Sequence, residues 1–354
     1  MVDPPITASL DAPQHGPRPL PLFLDMLRGE TKDAPERRTA ALAGLAAFQR
    51  APRRPVPTPP PAVARAGRAV LRDYGGAGTP VVFVPSLINP PYILDLGEET
   101  ALLRWLAGEG YRVLLVDWGS PTPGEPTDIA GHVTQLLLPL IGALGTPPVL
   151  AGYCLGGTMA AAAACLVPVR GLASIAAPWR FHGFPAPARA RIAGLWAEAE
   201  PLCARLGLVP MEVLQAGFWR LDPARTIAKY ERFATLDPAN AAAAAFIALE
   251  DWANGGAPLP YAAGAELFAF FERDDPGAGR WRVAGRTVDP HALPVPRIDF
   301  VSTTDRIVPA ASAAGFFERH ESRAGHVGMV VGSGRHAALW HPLRDWLARI
   351  AELP

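Results

Sequence analysis

The sequence predicts an α/β fold with a mostly parallel sheet flanked by helices and a helical cap inserted into it. Short apolar runs such as Val81–Pro85 and Tyr111–Asp117 alternate with segments of helical periodicity. The alternation stops near Pro178 and resumes with the apolar run Pro296–Ser302. Residues 180–290, between these two points, hold aromatic-rich helical segments without clear strands. An insertion into a sheet domain explains all three observations.

Each element is predicted from its periodicity and its boundary residues. The predicted strands are 69–74, 81–85, 111–117, 149–153, 170–176 and 296–302. The predicted helices lie within 22–50 and at 98–108, 128–144, directly after Cys154, at 309–319 and at 335–351. Strands that alternate with helices pair in parallel, and their sheet is covered on both faces.

Three segments are predicted along the chain. Residues 1–66 form a Pro-rich N-terminal extension with a helix, in which residues 1–21 are expected to be extended or disordered and Pro52–Pro61 to form a stiff linker. Residues 67–179 and 291–354 form the sheet domain. Residues 180–290 form the cap.

Composition excludes several classes of function. The 354 residues are 49% apolar, which is enough for a large core, and Lys plus Arg equal Asp plus Glu at 33 each. A net charge of zero argues against nucleic acid as the main partner. No apolar stretch reaches the roughly 18 residues of a membrane span, and no signal peptide is apparent. Three cysteines without metal-ligand spacing predict a reducing, cytoplasmic compartment and no metal site.

The stretch Val149–Thr158 is a candidate nucleophile elbow. Gly152 and Gly156 stand two residues on either side of Cys154, and Gly157 follows. A strand, a sharp turn and an Ala-rich helix succeed one another, as the G-x-nucleophile-x-G pattern requires. A cysteine between a strand and a helix is often only a small core residue. The spacing of the glycines favours a nucleophile.

An acid and a histidine follow in the order of the α/β-hydrolase enzymes. Asp305 comes just after a predicted strand, and His326 lies in a Gly-flanked loop 21 residues later. His326 would take the thiol proton, and Asp305 would orient the imidazole. Asp305 alone could equally be a turn or helix-cap residue. The rivals of His326 lie in helical pattern and are expected at the surface; they are His320, His336 and His341.

The tetrahedral oxyanion formed by thiolate attack needs preorganised donors. One donor is predicted to be the backbone N–H of Leu155, directly after the nucleophile. The other should come from the loop after the strand Val81–Pro85, near Leu87 or Ile88, with Ile88 the favoured residue. The other two cysteines, Cys165 and Cys203, are expected to be structural.

Five stretches resemble the polyhydroxyalkanoate synthases, particularly the short catalytic subunits of class III. They are Leu87–Leu96 (LINPPYILDL), Val116–Pro121 (VDWGSP), Gly152–Gly157 (GYCLGG), Asp305–Pro309 (DRIVP) and Gly325–Gly328 (GHVG). The cysteine stretch alone is weak, because dienelactone hydrolases carry a similar one. The combination is specific and covers roughly residues 70–350.

The resemblance implies an acyltransferase that polymerises 3-hydroxyacyl-CoA and releases CoA. It implies that Cys154 carries the growing chain as a thioester, that His326 activates it, and that Asp305 helps to activate the incoming 3-hydroxyl. No cofactor is implied beyond the CoA thioester substrate. The implied partners are the polyester chain, a second synthase subunit or a second copy, and the surface of a polyester granule in the cytoplasm.

Three residues depart from the family pattern. Arg306 stands where the family usually has His, Pro90 where a basic residue is common, and Arg180 where the class III pattern tends to have an acid. These departures leave a second hypothesis open: an esterase, thioesterase or depolymerase-like α/β-hydrolase that passes the acyl group to water with the same triad. A third hypothesis is a non-catalytic, granule-associated subunit, against which the intact triad argues.

Overall fold

The structure, a computed structural model, describes residues 16–53, 58–237 and 239–352. Its contacts divide the chain into two units. One unit comprises residues 58–217 and 255–354 and contains the large sheet; the other comprises the residues up to 57 and 218–254 and is helical. Most of the predicted Pro-rich segment 1–21, and residues 54–57 of the predicted linker, lie outside the described residues. The predicted segment boundaries at 66, 180 and 290 stay a prediction.

The large sheet has eight strands, and six of them are parallel. In spatial order they are β1 (Ala62–Ala66), β2 (Ala69–Asp73), β4 (Tyr111–Asp117), β3 (Ala77–Val84), β5 (Val149–Tyr153), β6 (Gly171–Ile175), β11 (Arg297–Ser302) and β12 (Glu318–Ser322). Strands β2 and β1 form an antiparallel hairpin at one edge. The central strands are buried along almost their whole length, as a parallel sheet with helices on both faces requires. The predicted α/β architecture is confirmed.

The helices before residue 180 are α1 (Leu20–Glu30), α2 (Pro35–Arg50), α3 (Leu102–Gly108), α4 (Ile129–Gly131), α5 (Leu138–Gly142) and α6 (Leu155–Ala164). Those after it are α7 (Ala186–Leu206), α8 (Met211–Trp219), α9 (Pro223–Phe233), α10 (Ala241–Asn254), α11 (Tyr261–Arg273), α12 (Gly328–Val331) and α13 (His341–Ala351). A π-helical stretch, His132–Leu137, joins α4 to α5, and another, His336–Trp340, precedes α13. Within the described residues, none of the helices has both the length and the apolar character that spanning a bilayer takes.

The predicted helix over residues 309–319 is wrong. Only a 3-10 turn at Ala310–Ser312 forms, and the chain then enters the edge strand β12. Gly315 adopts a left-handed φ of 80°, and the N–H groups of Gly315 and Phe316 donate to the buried carboxylate of Asp299 at 2.7 and 2.9 Å. Helical periodicity in the sequence gives no information about these hydrogen bonds, because their acceptor is a carboxylate on a different element, the strand β11. His320, expected in a helix, therefore lies in a strand.

The predicted cap is helical where it belongs to the sheet-containing unit. Helices α7 and α11 pack together, with Trp196 and Phe268 stacked at 4.4 Å between ring centroids. Two short antiparallel ladders accompany them; they are β7 (Leu208–Val209) with β8 (Leu259–Pro260) and β9 (Arg282–Val283) with β10 (Arg286–Thr287). The aromatic residues noted in the sequence thus contribute to packing here.

The helical unit has its own core. Phe23 of α1, Phe48 of α2 and Tyr230 of α9 are fully buried and make edge-to-face ring contacts. A Cβ at Gly44 would lie 1.9 Å from the carbonyl oxygen of Tyr230, so α2 and α9 approach as closely as they do only because residue 44 is glycine. The Tyr230 hydroxyl donates to buried Glu250 at 2.9 Å, which satisfies both groups.

Candidate active site

Cys154 lies on a strained turn between β5 and α6. Strand β5 ends at Tyr153, α6 begins at Leu155, and Cys154 has φ 55° and ψ −133°, a conformation that L-residues rarely adopt. Its N–H donates to the carbonyl oxygen of Ile175 on β6 at 3.0 Å, which ties the turn to the sheet. Such strain at an isolated residue is typical of functional sites. The predicted strand, turn and helix are therefore present at the predicted residues.

Each of the three predicted glycines is needed by packing. A Cβ at Gly152 would lie 2.3 Å from the Cα of Gly157, and one at Gly156 would lie 2.0 Å from the carbonyl oxygen of Val84. A Cβ at Gly157 would lie 2.3 Å from the Cβ of Ala177. Real Cβ atoms essentially never approach heavy atoms this closely. The glycines therefore let α6 pack directly on β5 and on the end of β3.

The structure brings His326 and Asp305 together. The Nδ1–H of His326 donates to Oδ2 of Asp305 at 2.7 Å, and both side chains are almost fully buried. The side chain of Cys154 lies close enough to the imidazole to raise the pKa of His326. Because Nδ1 is engaged by the carboxylate, Nε2 is the ring nitrogen that faces the thiol. The structure thus pairs two of the predicted triad residues, His326 and Asp305, and places Cys154 where it influences the imidazole. Their catalytic roles stay predictions.

Asp305 is fixed by backbone amides. Its second oxygen, Oδ1, accepts hydrogen bonds from the N–H groups of Ile307 at 2.7 Å and Val308 at 2.9 Å. Both carboxylate oxygens are therefore occupied, one by the loop that follows β11 and one by His326. A carboxylate held in this way defines the tautomer and the orientation of the imidazole.

The electrostatic environment favours a charged imidazole. Burial alone would lower the pKa of His326, but the charges of Asp305 and Cys154, with their hydrogen bonds to the ring, outweigh burial and raise the pKa to about 10. An imidazolium at neutral pH stabilises a thiolate beside it. The imidazolium therefore holds a proton that it can donate to a leaving group.

The predicted oxyanion donors differ in their surroundings. Leu155 is the first residue of α6, so its N–H has no acceptor within the helix. The N–H of Ile88, in contrast, donates to the hydroxyl of Ser86 at 3.2 Å. Trp118 supports the loop that contains Ser86 and Ile88, because its indole N–H donates to the carbonyl oxygen of Pro85 at 3.1 Å.

Two residues beside the triad have contacts that the sequence analysis did not anticipate. The ring of Tyr153 lies 5.2 Å from that of His326, and its buried hydroxyl donates to the His326 carbonyl oxygen at 3.4 Å. Ser302, at the end of β11, accepts a hydrogen bond from the N–H of Gly325 at 3.1 Å. Both residues fix the loop that carries His326. The only signal in the sequence was the position of each at the end of a strand.

The rival histidines lie elsewhere. His320 donates from Nε2 to the carbonyl oxygen of Ala337 at 3.2 Å, and His336 and His341 contact Trp105 at the surface. Burial raises the pKa of the Cys165 thiol to about 11, and Cys203 is buried in α7 with its pKa raised by burial as well. Among the described residues, no cluster of three or more His, Cys, Asp and Glu side chains could hold a metal ion.

Curated relatives carry the name of polyester polymerases. The chain is 28% identical over 299 residues to a poly(3-hydroxyalkanoate) polymerase subunit PhaC from Haloferax mediterranei, a match that covers 77% of this chain and 59% of the relative. A subunit of the same name from Haloarcula marismortui is 26% identical, and this match covers 80% of this chain and 63% of the relative. Another from Synechocystis is also 26% identical, and this match covers 76% of this chain and 77% of the relative. The chain spans about three fifths of the first two relatives. These similarities confirm the resemblance drawn from the five stretches.

The family is shown by a broader match. The sequence model described as "Alpha/beta hydrolase family" matches residues 81–350, about three quarters of the chain. The matched range begins in β3 and ends in α13, so it contains the elbow, the Asp305 loop and the His326 loop. The chain belongs to the alpha/beta hydrolase family.

Proposed function

We propose that this protein is a cysteine-dependent acyltransferase that polymerises 3-hydroxyacyl-CoA into polyhydroxyalkanoate and releases CoA. The observation that carries the proposal is Cys154 on the strained turn of a nucleophile elbow, beside the hydrogen-bonded pair of His326 and Asp305. The similarity to curated poly(3-hydroxyalkanoate) polymerase subunits supplies the substrate class. A CoA thioester is the substrate, and the proposed chemistry uses no resident cofactor or metal.

In the proposed first half-reaction, the Cys154 thiolate attacks the thioester carbonyl carbon. A carbon–sulfur bond forms, and the carbonyl π electrons move onto oxygen to give a tetrahedral oxyanion. The N–H of Leu155 at the start of α6 stabilises that charge. The bond to the CoA sulfur then breaks, and the leaving thiolate receives the proton held by His326. The acyl group remains on Cys154 as a thioester.

In the proposed second half-reaction, the 3-hydroxyl of a second 3-hydroxyacyl-CoA loses its proton to a base and attacks the Cys154 thioester. An ester bond forms and the carbon–sulfur bond to Cys154 breaks, which frees the thiolate. The elongated acyl-CoA then re-acylates Cys154 and releases CoA, as in the first half-reaction. We assign the base for this hydroxyl to His326, because both oxygens of Asp305 are already engaged by His326 and by two backbone amides. This assignment differs from the role that the resemblance implies for Asp305. The orientation of the ring by Asp305, rather than direct contact with the hydroxyl, would be the contribution of the carboxylate.

The test follows the acyl group by mass spectrometry. The purified protein is incubated with 3-hydroxybutyryl-CoA, alongside Cys154→Ala and the matched variant Cys165→Ala, whose thiol has a raised pKa and lies outside the triad. We expect wild type and Cys165→Ala to release CoA and to carry a ladder of acyl units on Cys154. Cys154→Ala should release none. Undiminished CoA release by Cys154→Ala would refute the proposal.

The same experiment separates the second candidate function. Free 3-hydroxybutyrate without a ladder on Cys154 would identify a thioesterase that passes the acyl group to water. This candidate is motivated by the departures from the polymerase pattern, notably Arg306 directly after Asp305. A depolymerase-like hydrolase would instead release 3-hydroxybutyrate from added polyester.

The proposed setting is the surface of a polyester granule in the cytoplasm. The basis is chemical: CoA thioesters are intracellular substrates, and an apolar polyester separates from water as it grows. The proposed partners are 3-hydroxyacyl-CoA, the polyester chain, and either a second synthase subunit or a second copy of this chain. Co-sedimentation of the protein with granules made in its presence tests the location. Recovery of all the protein in the supernatant would contradict it.

A further inference from the structure

A buried hydroxyl lies beside the elbow, on the loop that follows β3. Ser86 is 8% exposed and follows the strand end by two residues. In the parallel pairing of β3 with β5, Val84 is in register with Gly152. Ser86 and Cys154 therefore follow the same ends of two neighbouring parallel strands. The backbone contact agrees, because a Cβ at Gly156 would lie 2.6 Å from the carbonyl carbon of Pro85, the atom bonded to the Ser86 nitrogen.

The Ser86 hydroxyl has a proton to give. Its oxygen accepts the hydrogen bond from the N–H of Ile88 at 3.2 Å. Within residues 16–53, 58–237 and 239–352, the hydroxyl hydrogen has no acceptor, although the residue as a whole is more than nine-tenths buried. A buried donor without a partner is rare in folded proteins and calls for an explanation. A substrate oxygen that is present only during the reaction would satisfy it.

We propose that Ser86 is a catalytic residue whose hydroxyl donates a hydrogen bond to the oxyanion formed on attack by Cys154. The inference rests on the proposed function. The oxyanion hole would then consist of the Leu155 N–H and the Ser86 O–H, and the Ile88 N–H would serve to orient and polarise the hydroxyl rather than to contact substrate. No proton is transferred to the oxyanion. Ser86 donates a hydrogen bond that strengthens as negative charge develops and weakens when the carbonyl re-forms.

The experiment compares Ser86→Ala with Ser86→Thr, using CoA release from 3-hydroxybutyryl-CoA. We expect Ser86→Ala to lower kcat by about 100-fold with little change in KM, as loss of one oxyanion donor does. Ser86→Thr keeps the hydroxyl and should retain most of the activity. In the alternative, the Ile88 N–H contacts the oxyanion. Ser86→Ala would then raise kcat, because it would free that N–H from the Ser86 hydroxyl. Unchanged or increased kcat in Ser86→Ala therefore overturns the inference.

Two measurements exclude a merely structural effect. The rate at which iodoacetamide alkylates Cys154 should be the same in wild type and Ser86→Ala, since Ser86 acts on the substrate oxygen and not on the thiol. The affinity for 3-hydroxybutyraldehyde, which forms a tetrahedral adduct with the thiol, should fall by a factor similar to that in kcat. A change in alkylation rate without a change in aldehyde affinity contradicts the inference. If Cys154→Ala keeps full turnover, the proposed function itself has failed; if only Ser86→Ala does, this inference alone has failed.

Discussion

His326 lies between a carboxylate and a thiol, and this position sets its protonation. The ring is buried, yet the negative charge of Asp305 and the interaction with Cys154 outweigh the cost of burying a cation. Tyr153 adds no charge but fixes the backbone of His326 by a hydrogen bond to its carbonyl oxygen. The position of the imidazole is thus fixed, as the proposed exchange of protons with the CoA sulfur and the 3-hydroxyl would require.

The raised pKa of His326 makes stability depend on pH, and Asp305→Asn tests this. A folded pKa of about 10 lies above the usual 6.5, so the folded state binds the proton more tightly. The stability advantage of wild type over Asp305→Asn should be fully present below about pH 6.5 and should be lost as the pH rises towards about 10. Urea denaturation of both proteins from pH 6 to 10 measures it. The same comparison, with and without Asp305→Asn, in a Cys154→Ala background removes any contribution of the thiol to the difference in stability. Parallel curves would contradict the prediction.

At the scale of elements, the elbow depends on how closely α6 approaches its neighbours. The position of a Cβ at Gly157 is obstructed chiefly by one methyl group, the Cβ of Ala177 at 2.3 Å, whereas that of Gly156 is obstructed by the backbone of Val84 and Pro85. A methyl group can be removed by mutation, but a backbone carbonyl cannot. The two glycines should therefore differ in whether their substitution can be rescued.

We predict that Gly157→Ala lowers the free energy of unfolding by roughly 1–3 kcal/mol, as overpacking of a buried site does. The double variant Gly157→Ala/Ala177→Gly should recover part of that loss, because the obstructing methyl is absent. Gly156→Ala should not be rescued by Ala177→Gly. Urea denaturation of wild type, the three single variants Gly157→Ala, Gly156→Ala and Ala177→Gly, and the two double variants gives the coupling energies. Equal losses in Gly157→Ala and the double variant would show that Ala177 is not the obstruction.

Asp299 determines the path of the segment that was predicted to be a helix. Its carboxylate accepts hydrogen bonds from the N–H groups of Gly315 and Phe316, and Asp299→Ala would leave both donors, of which that of Phe316 is buried, without this acceptor. We predict a loss of roughly 2–4 kcal/mol in the free energy of unfolding. Asp299→Asn keeps one acceptor oxygen and should lose less. The exposed Glu321→Ala, on the adjacent strand β12, serves as a control and should change stability by under about 0.5 kcal/mol. A loss in Asp299→Ala no larger than in this control would be inconsistent with the prediction.

Over the whole molecule, local patterns predicted the central strands and the elbow but not the edges of the sheet. Buried parallel strands are continuous apolar runs, so β3, β4 and β5 were apparent in the sequence. Strand β12 reads Glu-Arg-His-Glu-Ser and carries no apolar residue, and β1 follows a run of prolines. An edge strand is defined by its neighbour rather than by its own sequence. The Ser86–Ile88 hydrogen bond was likewise beyond prediction, because it depends on the conformation of a loop.

The far edge of the sheet is also where we expect the molecule to self-associate. Within the part of the chain that the structure describes, strand β12 pairs on one side only. Charged side chains cover it, and the fully exposed ring of Phe317 directly precedes it. The formal net charge of zero at pH 7 supplies no long-range repulsion between copies. An exposed aromatic ring beside an open edge then favours contact between molecules.

Phe317→Asp should therefore reduce self-association near pH 7, measured by static light scattering over a range of protein concentrations. The substitution removes the ring and adds a negative charge, so Ser333→Asp, at another exposed position, controls for charge alone. We expect Phe317→Asp to lower the apparent association more than Ser333→Asp, and both to leave the free energy of unfolding within about 0.5 kcal/mol of wild type. Equal effects of the two variants would assign the association to net charge. A loss of stability in Phe317→Asp alone would mean that the ring packs within the fold.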